Sequence, residues 1–173
     1  MCAYHFRNVD LSNPTLCEVL QHHRRECLDA DKSQTYRITI RRSEVWKDAL
    51  RNFKRPFDTS QHLRITFLGE PAVDDGGPRR EFFMLFMSSL NWQESLLEGP
   101  RDRRIMRHNT KALDDDVYRT IGKIVALSII HGGPGPVFLA ESVVNYLFDG
   151  KQVKVQIGDI PDVSIQDKLK KVS

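Results

Sequence analysis

Apolar residues recur along this chain with two spacings, every second residue in some segments and at helical intervals in others. Segments near residues 36–40 and 62–67 alternate apolar with basic or hydroxyl side chains, which is the pattern of a strand with one buried face. The inward positions are Tyr36, Ile38 and Ile40 in the first segment and Leu63, Ile65 and Phe67 in the second. The sequence therefore predicts a small pair of strands.

Helical spacing of apolar residues accounts for most of the remaining chain. Predicted helices cover residues 14–30, a short stretch capped by Ser43 and ended by Pro56, and residues 79–90, 115–131 and 138–148. A further helix opens at Ser164, where Ser164 to Asp167 resembles a capping box. Residues 91–111 show no clear period and are predicted to be irregular. The expected fold class is α+β, mostly helical with a small strand pair.

The composition of the chain excludes several classes of function. The chain has 173 residues, 40% hydrophobic and 28% charged, which suits one globular domain. The net charge of +3 is too small to indicate a surface that binds nucleic acid. No apolar run approaches the about 18 residues of a spanning helix, and the first residues do not form a signal peptide. Cys2, Cys17 and Cys27 form no disulfide framework. We expect an intracellular protein, cytoplasmic or nuclear, with neither nucleic acid nor membrane as partner.

An acidic glycine turn links the second strand to the aromatic helix, in the run LRITFLGEPAVDDGGPRREFF that starts at Leu63. Glycines supply backbone angles with positive φ, and Asp74 or Asp75 can cap the helix that Pro78 begins. Glu81 suits the positive end of the helix dipole, and Arg80 is expected to pair with Glu70 or with an aspartate of the turn. The residues predicted to form a structural motif, none of them catalytic, are Glu70, Asp74, Gly76, Gly77, Arg80, Glu81 and Gly122.

This run resembles the signature of the HECT-type ubiquitin ligase domain. The positions that match the signature are Gly69, Glu70, Asp74, Gly76, Gly77, Arg80, Glu81 and Phe83. Arg41-Arg42 is similar to the usual opening of that domain, residues 121–133 resemble a later core helix, and residues 148–162 resemble a third block. The run HGGPGP after Ile130 is similar to a divergent subgroup, the ligases of the G-two/M phase. Ala72 and Pro78 depart from the family pattern.

The resemblance implies the core of an amino-terminal HECT lobe. Residues 1–35 would be an N-terminal helix and linker, and residues 36–173 a partial lobe that stops before the enzyme-docking insertion and the catalytic lobe. The family passes ubiquitin from a conjugating enzyme to a ligase cysteine, and then to a substrate lysine. None of the three cysteines here lies where that nucleophile belongs. The chain alone is therefore expected to be an inactive scaffold, with ubiquitin and the conjugating enzyme as partners of a longer protein. The alternative is a stand-alone HECT-like binding module.

Other chemistries fit the spacing poorly, so we expect no cofactor and no metal. Gly76-Gly77 lacks the spacing of a phosphate-binding loop. HGGPGP is expected to end the helix before it. An esterase oxyanion loop is the alternative, but the chain has no GxSxG nucleophile motif. Cysteines and histidines before residue 28 match no common zinc spacing. The basic segment 101–107 is expected to be a solvated loop or, alternatively, a surface for an acidic partner.

Overall fold

The computed structural model describes residues 15–28, 35–58, 61–70, 76–149 and 156–172. Its fold is α+β and mostly helical, as the sequence predicts. The helices are α1 (Leu16–Leu28), α2 (Val45–Lys54), α3 (Gly77–Asn91), α4 (Thr110–Asp114), α5 (Val117–Ile130), α6 (Glu141–Asp149) and α7 (Val163–Lys170). The strands are β1 (Thr35–Ile40), β2 (His62–Phe67), β3 (Leu97–Glu98) and β4 (Ile105–Met106). None of these helices is both long and apolar enough to cross a membrane.

The predicted strand pair is confirmed, and β1 and β2 run parallel with Thr35 opposite His62 and Ile40 opposite Phe67. A parallel pair needs a crossover connection, and α2 lies within it. The inward residues of both strands are buried except for Tyr36, which is partly buried. A 3₁₀ turn at Arg42–Glu44 precedes α2, so its N-cap is Glu44 and the predicted Ser43 cap is wrong.

An aromatic layer fills the space between the strands and α3. Phe82, Phe83 and Phe86 of α3 are fully buried, as is Phe53 of α2. The rings of Phe53 and Phe82 stack with centroids 5.8 Å apart. Each such side chain contributes about 1.5–3 kcal/mol when it leaves water. This layer holds α3 against α2 and β2.

The helix predicted over 115–131 is confirmed as α5 (Val117–Ile130), and the short helix α4 (Thr110–Asp114) precedes it. Asp116 adopts a left-handed backbone conformation with φ of 56°, which separates α4 from α5. Asn109 caps α4 by accepting a hydrogen bond from the backbone of Ala112 at 3.0 Å. Lys123 of α5 donates to the carbonyl of Phe53 at 3.1 Å and so joins α5 to the end of α2. The region 91–111 also contains the short antiparallel pair β3 and β4, which the sequence does not predict.

The last helices begin at different residues from those predicted. α6 begins at Glu141, because Phe138 is buried and Leu139 bridges to Arg104 before the helix starts. Asp162 caps α7 by accepting from the backbone of Ser164 at 2.8 Å, so the predicted Ser164 cap is wrong.

Candidate functional site

The first of two consecutive arginines after β1 ties that strand to α2. Arg41 donates from Nε and Nη2 to the carboxylate of Asp48 at 2.9 and 2.6 Å, and from its backbone at 2.9 Å. Asp48 is only 1% exposed. Hydrogen bonds from Arg41 are the largest cause that lowers the pKa of Asp48 to about 2, and burial opposes them. The carboxylate is therefore a charged, buried link between the strand and the helix.

The second arginine joins three segments at the surface. Arg42 donates to both carboxylate oxygens of Glu70 at 2.7 and 2.9 Å, and to Glu81 at 2.6 Å. Its guanidinium lies 4.3 Å from the centre of the Phe67 ring. The hydrogen bond from Arg42 lowers the pKa of Glu70. We call Arg42, Glu70, Glu81 and Phe67 the Arg42 cluster. It connects the end of β1, the end of β2 and the first turns of α3.

The glycines of the acidic turn have separate roles. Gly76 is the N-cap of α3 in a left-handed conformation with φ of 81°, whereas Gly77 is the first helical residue and has no such φ. The positive-φ requirement therefore applies to Gly76, and its prediction for Gly77 is wrong. The N-cap position belongs to Gly76 and not to Asp74 or Asp75, which both lie outside the described residues.

The remaining predicted motif residues do not meet at one place. Arg80 is exposed on α3, and Glu70 binds Arg42, with no pairing to Arg80 among the described residues. The alternative partners predicted for Arg80, the aspartates of the turn, lie outside the described residues. Glu81 joins the Arg42 cluster. Gly122 lies on α5, away from the turn in sequence, and is exposed.

The basic segment 101–107 folds around one of its own arginines. Arg104 is 2% exposed and donates to the side chain of Asn91 at 3.1 Å, to the carbonyl of Gly99 at 2.7 Å and to Glu94 at 2.9 Å. Arg101 also binds Glu94 at 2.9 Å. We call Arg104, Asn91, Glu94 and Gly99 the Arg104 cluster. The prediction of a solvated loop is therefore wrong at Arg104.

The run HGGPGP is a helix stop, as predicted. α5 ends at Ile130, and Gly132 has a φ of 72°. Ser128 donates to the carbonyl of Pro134 at 2.7 Å, and a Cβ at Gly133 would lie 2.6 Å from the Ser128 hydroxyl oxygen. A side chain at Gly133 therefore does not fit. Ser128 is fully buried and held by this bond, which is not the setting of a nucleophile.

His131 follows α5 and is buried, and within the described part of the chain neither ring nitrogen has a hydrogen-bond partner. Burial is the main cause that lowers the pKa of His131 to about 3, and electrostatic interactions with Arg79, His62 and Arg24 lower it further. Its ring lies nearly parallel to that of Phe83, with centroids 6.3 Å apart. The residue is a neutral part of the core near neutral pH.

Most of the cysteine and histidine side chains before residue 28 lie outside the described part of the chain. Cys17 is exposed on α1. Cys2, His5 and the side chains of His23 and Cys27 are not described. Among the residues that are described, no group of three histidine, cysteine or acidic side chains could hold a metal ion.

An apolar groove lies along α5, which the sequence does not predict because its walls come from separate segments. It has a volume of about 510 Å³. Ile121, Gly122 and Val125 of α5 line it, with Leu90 of α3 on another side. Met106, Arg107, His108, Leu113, Tyr118 and Leu147 are further lining residues. We call this feature the α5 groove.

Comparisons with known proteins relate the chain to E3 ubiquitin-protein ligases. It is 30% identical over 139 residues to the G2/M phase-specific E3 ubiquitin-protein ligase of Homo sapiens, a match that covers 78% of this chain and 19% of that protein. The Gallus gallus protein of the same name is 29% identical over 147 residues, which are 81% of this chain and 19% of that protein. The probable E3 ubiquitin-protein ligase HERC4 of Homo sapiens is 32% identical over 96 residues, or 53% of this chain and 9% of that protein.

No protein-family model matches the chain. The chain spans about a fifth of the length of the first two ligases, with 19% of each covered. It is a region related to E3 ubiquitin-protein ligases. The structural motif of the acidic turn and the core helix α5 both belong to this region.

Proposed function

We propose that the chain is a scaffold region of a HECT-type ubiquitin ligase, within the amino-terminal lobe. The similarity to E3 ubiquitin-protein ligases over 78% of the chain carries this proposal. The Arg42 cluster supports the HECT assignment, because it gives Glu70 and Glu81 of the resembling motif a common structural purpose. In this proposal residues 36–173 form the lobe region, residues 1–35 precede it, and the protein acts inside the cell.

The proposed reaction belongs to a longer protein that contains this region. A ligase thiolate attacks the thioester carbonyl of the charged conjugating enzyme, whose cysteine thiolate leaves. A substrate lysine amine then attacks the new thioester, and the ligase thiolate is released. Such a relay needs a cysteine that can reach the donor carbonyl. The described residues offer Cys17, which lies on α1 before the motif-bearing region. The chain would contribute scaffold and contacts, and ubiquitin and the conjugating enzyme would be partners of the longer protein.

A second candidate is a HECT-like binding module without transferase activity. The α5 groove favours it, since an apolar concavity of this size is a feature of binding surfaces. The two candidates differ in one requirement, namely a cysteine that accepts ubiquitin elsewhere in the longer protein.

A thioester assay tests the proposal. The chain is incubated with activating enzyme, conjugating enzyme, ATP and ubiquitin, and the products are separated on a non-reducing gel. We expect no thiol-sensitive ubiquitin adduct on the chain. The longer protein should form one that disappears when a cysteine outside this region is changed to serine.

Two outcomes would contradict the proposal. An adduct on the chain that is lost in Cys17→Ser would place the nucleophile on α1. A longer protein that forms no adduct with any conjugating enzyme, yet still binds its partners, would favour the binding module.

A further inference from the structure

We propose that the α5 groove binds an amphipathic helix of a second protein, with its apolar stripe against α5 and acidic side chains towards Arg107 and His108. This inference goes beyond the proposed role in ubiquitin transfer and does not depend on it. Three observations carry it, concerning the rim of the groove, its floor and its charge.

The rim indicates an occupant larger than a small molecule. Met106 is 41% exposed, Leu113 53% and Leu147 63%, and all three line the groove. A small ligand at the bottom would leave these side chains in water. An amphipathic helix in a groove covers floor and rim together, with apolar residues at successive turns. Apolar surface of this kind on a folded chain marks an interaction site.

The floor contains a glycine that the chain's own packing does not explain. Gly122 lies within α5, where glycine is less favourable than alanine. A Cβ built at this position meets nothing within 4 Å, and no positive φ requires glycine here. A missing side chain on the exposed face of a helix allows another backbone to approach closely. At Gly122, therefore, no side chain of α5 would separate a docked helix from the α5 backbone.

The basic residues in the lining of the groove favour a partner with acidic side chains. Arg107 and His108 are the basic residues that line the groove, and none of the described residues that line it is acidic. The Arg107 side chain is about half exposed. Its Nη1 donates to the carbonyl of Glu94 at 2.8 Å, and its Nε lies 3.8 Å from Glu98. Tyr118 donates to the carbonyl of Arg107 and holds this residue at the groove edge. Complementary charge at a rim gives orientation and specificity, so the docked helix should carry Glu or Asp beside its apolar stripe.

A designed peptide provides the probe. We would label a helical peptide of roughly 18 residues, with leucines at i, i+3, i+4 and i+7 and glutamates on the flanks, and measure its fluorescence anisotropy with the full chain. A matched peptide with lysines in place of the glutamates has the same apolar stripe and the opposite charge. We expect saturable binding of the acidic peptide, and binding of the basic peptide weaker by about tenfold or more.

Two pairs of variants locate the site. Gly122→Leu adds a side chain at a position where a Cβ meets nothing within 4 Å, and it should weaken binding by about tenfold or more. Ser88→Leu adds the same side chain to the exposed face of α3 and should not weaken it. Arg107→Glu should weaken binding of the acidic peptide and improve binding of the basic one. Arg37→Glu makes the same charge change on the exposed side of β1 and should alter neither.

Several results would overturn the inference. Equal binding of both peptides would remove the charge argument, and binding that survives Gly122→Leu would place the peptide elsewhere. Absence of saturable binding by a chain whose melting curve is intact would remove the site altogether. Self-association in sedimentation velocity that Gly122→Leu abolishes and Ser88→Leu leaves intact would show that a second copy is the occupant instead.

Discussion

The Arg42 and Arg104 clusters make the same kind of ion pair, one at the protein surface and the other in the interior. Each centres on one guanidinium that binds carboxylate oxygens and draws separate segments together. The Arg42 side chain is 44% exposed, and its partners Glu70 and Glu81 are 45% and 48% exposed. The Arg104 side chain is 2% exposed and binds backbone carbonyls in addition to Glu94.

Depth decides what each arginine does for the fold. At the surface, water competes for every hydrogen bond, so an ion pair orients segments more than it stabilises them. In the interior, removal of the arginine leaves carbonyl groups without a donor. The motif that resembles a family signature is therefore the weaker support of the fold, and the basic loop that the sequence suggests to be solvated is the stronger one. The following predictions test this difference, from the largest expected effect to the smallest.

The largest effect is expected for Arg104→Met, which keeps much of the length of the side chain and removes its donors. The carbonyl of Gly99 and the side-chain oxygen of Asn91 then lose their donor, and the free energy of unfolding should fall by about 3–5 kcal/mol. Urea denaturation monitored by circular dichroism measures this change. Arg101→Met removes a more exposed arginine from the same Glu94 and should cost much less. Equal losses in the two variants would mean that depth does not matter here.

Asp48 lies between the two extremes, because this carboxylate is buried while its partner Arg41 is about half exposed. Its pKa of about 2 is below the unfolded value, so the stabilisation is complete above about pH 4 and is lost as the pH falls towards 2. The loss should be about 2 kcal/mol in the native protein and absent in Asp48→Asn. Denaturation curves recorded at a series of pH values compare the two. Parallel pH profiles would contradict the buried pair.

The acidic turn allows a test of backbone conformation separately from the Arg42 cluster. Gly76→Ala places a Cβ at φ of 81° and should lower the free energy of unfolding by about 1–2 kcal/mol. Gly77→Ala, one residue later and inside α3, should change it by less than about 0.5 kcal/mol. Thermal melting of both variants decides between them. A larger loss at Gly77 would show that the strained position lies there.

The smallest effect is expected at the centre of the Arg42 cluster. Arg42→Gln removes exposed ion pairs, and its melting temperature should stay close to that of the native protein. Any difference should disappear in roughly 1 M salt, where the screening length is about 3 Å. A loss as large as that of Arg104→Met, unchanged by salt, would reverse the comparison between the two clusters.

Local patterns predict the strands and the aromatic helix well, because period-two alternation and helical spacing are properties of neighbouring residues. The sequence fails where a distant contact or one backbone angle decides. The short helix α4 begins in the region predicted to be irregular. The Asn109 cap starts it, and the φ of 56° at Asp116 separates it from α5. Burial of Arg104 depends on Asn91, Glu94 and Gly99 meeting around it, and a run of arginines alone does not indicate this.

The candidate motif is predicted in part. The predicted motif correctly includes both Glu70 and Glu81, which lie close together in the structure. The residue that joins them is Arg42, which the predicted set omits. An arginine pair directly after a strand is a signal that could have found it. The α5 groove is not visible in the sequence, since Leu90, Met106 and Gly122 contribute to it from three separate elements.

The parallel pairing of β1 with β2 has a consequence for the order of folding. Its contacts, together with the Arg41–Asp48 link, involve only residues between Thr35 and Phe67, so this unit can form on the ribosome before α5 is synthesised. Until α3 and α5 follow, the unit has no cover for Phe53 and Phe67, which are buried in the finished fold. A chain in which this unit forms first would therefore expose an aromatic surface until α3 and α5 pack against it.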